Sequence, residues 1–375
     1  MHVVITGANG FIGRNLRQHL SEREGVDVSL VTRETSEDEL QEALSKATFV
    51  FHLAGVNRPQ NVSEFKEGNT DLTTKVSHIL AARARETGDK VPLLITSSTQ
   101  AVAENDYGIS KRNGEIAAQK AANDAGFPLY IFRLPNVFGK WSRPNYNSAV
   151  ATFCHNVARN EPIQITRADA DITLVYIDDV VKRFLQLLDG AQPDPDADGF
   201  EKVQPQYSIT VGKLAETIRA FKASRSSLVT ERVGAGLVRA LHSTYVSFLP
   251  PEEFSYTIPM HGDVRGVFVE MLKTPDCGQF SYFTAHPGIT RGGHYHHSKT
   301  EKFLVIKGKA CFKFRQIQTG EKYELVTEGE KAEIVETVPG WTHDITNIGD
   351  TEMVVMLWAN EIFDRENPDT FACPL

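Results

Sequence analysis

The hydrophobic period of this chain changes once along its length, and that change restricts it to two architectures joined in sequence. From Met1 to about Leu188, short apolar runs alternate with longer helix-like stretches, as in a parallel sheet assembled from βα units. Val3-Val4-Ile5, Val28-Ser29-Leu30-Val31, Phe49-Val50-Phe51 and Leu93-Leu94-Ile95 predict the first four strands. Asn15 to Leu20, Asp71 to Ala84 and Ser110 to Ala125 predict helices, and Val211 to Lys222 resumes the helical period. Beyond Asp263, short alternating segments such as Lys309 to Arg315, Lys322 to Val326 and Glu352 to Trp358 are separated by Gly, Pro, Asn and Asp, which predicts an all-β sandwich or barrel. The expected fold class is therefore α/β, a doubly wound parallel sheet over residues 1–243, followed by an all-β domain over 259–375. Residues 244–258, with Pro250-Pro251 and no clear period, read as a linker. Gln192 to Gly199 is polar and rich in turn formers, the signature of an exposed loop.

At 375 residues the chain is long enough for two hydrophobic cores. Its 41% hydrophobic and 23% charged residues predict folding throughout, and a net charge of -8 offers no basic field for nucleic acid or an anionic membrane. No apolar run is long enough to span a bilayer, and a strand beginning at His2 leaves no room for a secretory leader, so the expected location is cytoplasmic. Cys154, Cys277, Cys311 and Cys373 are scattered without a CxxC pair, which predicts thiols rather than a disulfide framework or a zinc knuckle.

The first predicted strand runs into Thr6-Gly7-Ala8-Asn9-Gly10-Phe11-Ile12-Gly13 and then a helix. Glycines there permit a tight turn, close approach of backbone N–H groups to a pyrophosphate and close helix packing, with the helix N-terminus facing the anion. Gly7, Asn9, Gly10, Phe11, Ile12 and Gly13 are thus candidate dinucleotide contacts. At the end of the second strand, where NAD sites usually carry Asp or Glu, the chain has Thr32-Arg33. A guanidinium can receive a 2′-phosphate, so Arg33 favours NADPH.

Tyr107 and Lys111 are four residues apart and share a helix face, where an ammonium favours the phenolate and eases proton exchange with a substrate oxygen. The hydroxyls of Ser98 and Thr99, at the end of the fourth strand, are alternatives for holding the same oxygen. Together with His52-Leu53-Ala54-Gly55, Arg133-Leu134-Pro135-Asn136-Val137-Phe138-Gly139 and Val175-Tyr176-Ile177-Asp178-Asp179-Val180, these motifs resemble the extended short-chain dehydrogenases/reductases, which have a Rossmann fold. The resemblance covers about two-thirds of the chain. It implies that Tyr107 is the general acid, that Lys111 lowers its pKa and holds the nicotinamide ribose, and that Ser98 or Thr99 orients a carbonyl. It also implies that Leu53, Ala54 and Gly55 line the cofactor, with Arg133 and Asn136 near the nicotinamide. Only Gln100 to Asp106 separate Thr99 from Tyr107, a shorter loop than usual in that family, which favours simple reduction over dehydration.

In Gly288 to Gly308, a glycine, HxH, a glutamate and a second glycine recur at fixed intervals. Alternate strand residues share a face, so His294 and His296 can converge on one ion, Glu301 can approach from the next strand, and His343 can complete the set. The expected ion is divalent, zinc first, with iron, nickel or manganese as alternatives. The spacing resembles the first cupin motif, and Pro339 to Asn347 resembles the second, although Val338 stands where that motif usually has Pro. Arg291 to Tyr295 and Glu301 to Val305 also resemble cupin-fold epimerases of keto-deoxysugars, which use a histidine base and an enolate-stabilising lysine. That resemblance implies roles for His294 and Lys302, with His297 and Tyr295 as alternative proton carriers.

Asp263 to Gly266, Gly278 to Ser281 and Trp358 to Glu361 extend the likeness. The whole chain resembles the bifunctional reductase–cupin enzymes of bacterial capsule and O-antigen synthesis in the UDP-N-acetyl-L-fucosamine pathway. The resemblance implies a UDP-linked deoxy-ketosugar substrate, C3 epimerisation in the cupin, C4 reduction with NADPH and a homodimer. A reductase with a structural or dimerising cupin, and a non-catalytic sugar-nucleotide sensor, are the alternatives.

Overall fold

In a computed structural model, the chain divides into two compact units, one of residues 1–137 and 173–208, the other of 138–172 and 209–375. All residues are described except Met260, Val264, Arg265, Val269, Glu270, 273–277, Ile362, Phe363 and Arg365. Cys277 and the Val264-Arg265 part of the cupin likeness therefore lie outside the described residues.

The first unit is built on five parallel strands, β1 (His2–Thr6), β2 (Asp27–Val31), β3 (Phe49–His52), β4 (Leu93–Ser98) and β5 (Leu129–Leu134), in the order β2-β1-β3-β4-β5. Both faces are covered, which is why the strands read as continuous apolar runs. Val4 and Val50 pack on one face with Leu44, Val76 and Leu80. Phe51 and Phe132 meet Phe184 of the helix Ile177–Leu188 on the other. Strand order reverses direction between β1 and β3, and ligands of open α/β sheets bind outside the carboxyl ends of the strands at such a switch point. Gly7 follows β1 there and Leu53 to Gly55 follow β3. Among the described residues, no helix is long and apolar enough to cross a membrane.

The second unit contains two five-stranded antiparallel sheets. One runs Gln279–Ala285, Met353–Ala359, Glu301–Lys307, Glu333–Glu336 and Ser255–Thr257; the other runs Lys322–Glu328, Lys309–Gln316, Trp341–Asn347, Thr290–Tyr295 and Phe371–Ala372. Phe303 and Phe312, one from each sheet, meet in the core. The stretch 244–258 is not a free linker. The helix Gly236–Val246 runs into it, Ser255–Thr257 pairs with Glu333–Val335, and the fully buried Phe254 packs against Phe314 and Trp341. An aromatic anchor with two flanking prolines carries no period, so the pattern hid an ordered segment.

Candidate active sites

The phosphate loop follows directly from β1. Gly7 has φ +68, and a Cβ on it would lie 2.6 Å from the backbone nitrogen of Ala54; a Cβ on Gly13 would lie 2.4 Å from the carbonyl oxygen of Gly7. Both contacts are with backbone, so both positions demand glycine. Gly10 caps the helix Phe11–Ser21, whose N-terminus opens at the switch point. The loop is thus shaped for close approach by a dinucleotide pyrophosphate. Arg33 and Glu34 are exposed just beyond β2, on the carboxyl side of the sheet that also carries Gly7, whose N–H donates to Val31 (3.0 Å).

Tyr107 and Lys111 lie on the helix Asp106–Ala125, capped by the Asn105 side chain, which accepts from the Gly108 N–H (2.8 Å). Of the two hydroxyl candidates, Ser98 hydrogen-bonds the Tyr107 phenol, whereas Thr99 is exposed at the start of a short helical turn. Burial raises the Tyr107 pKa and the Ser98 bond opposes that rise. Lys111 is pulled down to about 8 by burial, with Glu115 acting against the shift. Its Nζ donates to the Thr96 carbonyl (3.4 Å), and a Cβ on Gly55 would come within 2.8 Å of it. Lys111 therefore faces the end of β3, alongside the loop expected to line the cofactor.

Arg133 lies in β5 with its guanidinium in two bonds to Glu115, Nε to Oε1 at 3.0 Å and Nη2 to Oε2 at 2.6 Å, and over the Phe200 ring at 3.8 Å. Its evident work is to fix Glu115, which also accepts from Ser97, beneath Lys111. Asn136 is exposed and donates to the Thr173 carbonyl (3.0 Å).

Three residues have supporting roles that the sequence reading did not assign. Buried Asn69 receives the Val56 N–H (2.9 Å) and donates to the Val56 carbonyl and Ser110 Oγ (both 3.0 Å), tying the β3 loop to the Tyr107 helix. Gly108 lets that helix start against the short Gln100–Asp106 loop, since a Cβ would sit 2.4 Å from the Gln100 oxygen. Buried His52 bridges Thr6 Oγ1 (2.7 Å) and Thr73 Oγ1 (2.9 Å), and burial beside Lys111 drives it down to about 3, so it stays neutral. Asn69 and Gly108 have no local signature, and His52 stood in a quoted motif without its distant partners Thr6 and Thr73.

In the second unit the histidine cluster assembles as expected. His294, His296, Glu301 and His343 each present a ligand atom within 4.8 Å of the others. His294 pairs across strands with His343, their rings 4.8 Å apart, and a bulge between Gly292 and His294 aims the histidine strand. Gly292 has φ +104 and would place a Cβ 2.9 Å from the His343 oxygen, which explains the glycine pair before HxH. Glu301 enters from the opposite sheet.

Charge and protonation suit a cation here. His296 Nδ1 faces the Asp369 carbonyl, which can only accept, so Nδ1 carries the hydrogen. Its Nε2 then lies 3.1 Å from Glu301 Oε2, where either a proton or a metal ion between the two atoms satisfies both. The His343 Nε2 is 3.5 Å from the same oxygen. Burial would raise Glu301, but His296 and His343 outweigh it and hold it well below the usual carboxylate range. Burial pushes His343 down and, with its histidine neighbours, takes His294 to about 4. Three imidazoles around one carboxylate form a donor set that fits a divalent ion such as zinc.

Lys302 does not join this cluster. Strand alternation turns it to the face opposite Glu301, where its Nζ pairs with Glu336 (2.6 Å) and with the Tyr256 hydroxyl (2.7 Å). Arg225 binds the same carboxylate at 2.8 Å and stacks over the Tyr256 ring. Burial alone would lower Lys302, but Glu336 reverses the shift. This fixed ammonium answers to Glu336, not to a substrate at the histidines. His297 and Tyr295 likewise pack together, with ring centroids 5.6 Å apart, and both contact Phe371. A linear motif matched all four residues, but a strand has two faces.

A switch point shaped for a dinucleotide, with a phenol, hydroxyl and lysine beside it, is that of a dinucleotide-binding α/β enzyme, here continued into a cupin-type pair of sheets. Residues 3–198 match the NAD dependent epimerase/dehydratase family, and 261–371 match the polysaccharide biosynthesis C-terminal domain. The chain belongs to that epimerase/dehydratase family, which implies a nicotinamide cofactor. A Pseudomonas aeruginosa relative, UDP-2-acetamido-2,6-beta-L-arabino-hexul-4-ose reductase, is 63% identical over 100% of this chain and 98% of its own. The crystal structure of the capsular polysaccharide assembling protein CapF from Staphylococcus aureus aligns over 100% of both chains, with 43% identity and a TM-score of 0.68. The UDP-glucuronic acid 4-epimerase of Bacillus cereus, 16% identical with a TM-score of 0.53 over 66% of this chain, shares the fold of the covered part.

Proposed function

We propose that this chain reduces the C4 ketone of a UDP-linked 2-acetamido-2,6-dideoxy-4-hexulose with NADPH, after its cupin portion has epimerised C3. The observation that carries the reduction is the grouping of Tyr107, Ser98 and Lys111 at the switch point of a chain 63% identical, end to end, to a reductase of a UDP-linked 4-ulose.

When bound, the reduced nicotinamide supplies a hydride to C4. Ser98 holds the ketone oxygen and Tyr107 delivers its proton to that oxygen as negative charge develops. Lys111, held beside Gly55, positions the nicotinamide ribose, and Tyr107 regains its proton from solvent once the alcohol is formed. Arg33 receives the 2′-phosphate and so selects NADPH.

The order of the two steps follows from the chemistry. The C4 ketone acidifies the C3 hydrogen, and reduction destroys it, so epimerisation precedes reduction. The product is then UDP-N-acetyl-6-deoxy-L-talosamine, a precursor of UDP-N-acetyl-L-fucosamine. Support for epimerisation is the cupin likeness and the histidine–glutamate centre, without Lys302 or His297. His294, His296, Glu301 and His343 hold the divalent ion, zinc first, which supplies a Lewis acid when bound.

The test of the reductase is nicotinamide oxidation on adding the UDP-ketosugar, with NADPH and NADH compared. Substrate-dependent oxidation that prefers NADPH supports the reading; no oxidation with either cofactor overturns it.

A further inference from the structure

The segment from Asp369 to Pro374 lies across both histidine-bearing strands. Tyr295 and His294 pair with Phe371 and Ala372, the Cys373 N–H donates to the Gly293 carbonyl (2.8 Å), and the Thr342 hydroxyl donates to the Cys373 carbonyl. Arg315 donates to the Pro374 carbonyl (2.8 Å), and Lys299 Nζ reaches the Thr370 hydroxyl (2.8 Å). The segment is therefore pinned at several points around the candidate metal centre.

Its first residue touches that centre twice. The Asp369 carboxylate accepts three successive backbone N–H groups, from His297 (2.8 Å), Ser298 and Lys299 (both 2.7 Å), and also the Ser298 hydroxyl (3.0 Å). Those residues form the turn between His296 and Glu301, two of the four ligands. The Asp369 main-chain oxygen, meanwhile, receives the His296 Nδ1 hydrogen. One residue thus shapes the ligand-bearing turn and sets the tautomer of the ligand beside it.

We propose that Asp369 is the positioning residue of the metal centre, holding the His296–Glu301 turn and His296 itself in the ligating arrangement. This rests on the reading that His294, His296, Glu301 and His343 bind a divalent ion. A carboxylate that accepts three adjacent N–H groups leaves that backbone one shape, and a carbonyl bond at Nδ1 leaves His296 only Nε2 for an ion. Partners of this kind behind a ligand typically govern metal affinity by about 10–100-fold.

The test uses zinc-loaded, full-length wild type, Asp369→Ala and Asp369→Asn. Zinc affinity is measured by competition with a coloured chelator, and melting is followed with and without zinc. Asp369→Ala is expected to hold zinc about 10–100-fold more weakly and to lose most of the zinc-dependent rise in Tm. Asp369→Asn, which keeps one acceptor oxygen, is expected to fall between, and it answers the question if the alanine variant does not fold. Zinc affinity equal to wild type, with both forms melting lower by the same amount, would make Asp369 merely structural and overturn the proposal. If wild type itself takes up no zinc, iron, nickel or manganese, the metal reading fails and this proposal with it. Normal wild-type uptake with unaffected variants sinks the proposal alone.

Discussion

Replacing Lys302 distinguishes a lysine that serves the fold from one that serves the chemistry. Its ammonium is buried, 2.6 Å from Glu336 and 2.7 Å from the Tyr256 hydroxyl, so Lys302→Met removes a charge partner and a donor from a buried ion pair. Breaking a buried ion pair from one side costs about 3–5 kcal/mol. Arg225 remains on the carboxylate at 2.8 Å, which places this case near the lower end, about 3 kcal/mol. For a unit of roughly 200 residues that corresponds to a fall in Tm of about 6–12 °C. The double variant Lys302→Met/Glu336→Leu should cost less than the sum of the single changes, because it leaves no lone carboxylate. Thermal unfolding measures the loss, and exchange of the substrate C3 hydrogen with D2O, read well below the melting temperature, measures the chemistry. The expected result is a large loss of stability with exchange retained in the folded fraction. Unchanged Tm with exchange abolished would refute the placement of Lys302 and return it to the reaction.

Three further predictions concern the first unit. Tyr107→Phe should slow ketone reduction by about 10²–10⁴-fold while leaving NADPH affinity, measured by fluorescence titration, essentially unchanged. Ser98→Ala should slow it by about 10²-fold and Thr99→Ala by less than about twofold in steady-state assays, since only Ser98 bonds the phenol. The third is a pH effect. Burial takes Lys111 from its ordinary 10.5 to about 8, so between those values the unfolded chain binds a proton that the native chain has released. Stability contributed at this site therefore rises with pH across that window, and urea unfolding should show wild type gaining on Lys111→Met from about pH 8 to about 10.5. A constant difference would count against the burial of that ammonium.

Much of this fold was legible because burial on both faces writes itself into the strands. Val3-Val4-Ile5, Phe49-Val50-Phe51 and Leu93-Leu94-Ile95 each fall inside a strand, and the glycine spacing from Gly7 to Gly13 marked a loop whose backbone contacts exclude a Cβ. The HxH spacing was legible for a different reason, since alternation and the Gly292 bulge bring His294 and His296 together. Lys302 misled because a motif records neighbours in sequence without recording which face each one takes. Asp369 and His296 are separated by 73 positions, and Arg225 and Glu336 by 111, so only the folded chain introduces them. Phe254 anchors a stretch whose prolines erase any period, which made an ordered strand look like a linker.

The most direct measurement is an NMR analysis of the product formed from a UDP-2-acetamido-2,6-dideoxy-4-hexulose and NADPH in D2O. The account predicts a C4 alcohol carrying hydrogen from the nicotinamide at C4 and deuterium, with inverted configuration, at C3. Protium retained at C3 in a reduced product would leave a reductase with a non-catalytic cupin, and an unreduced ketone would contradict the central claim.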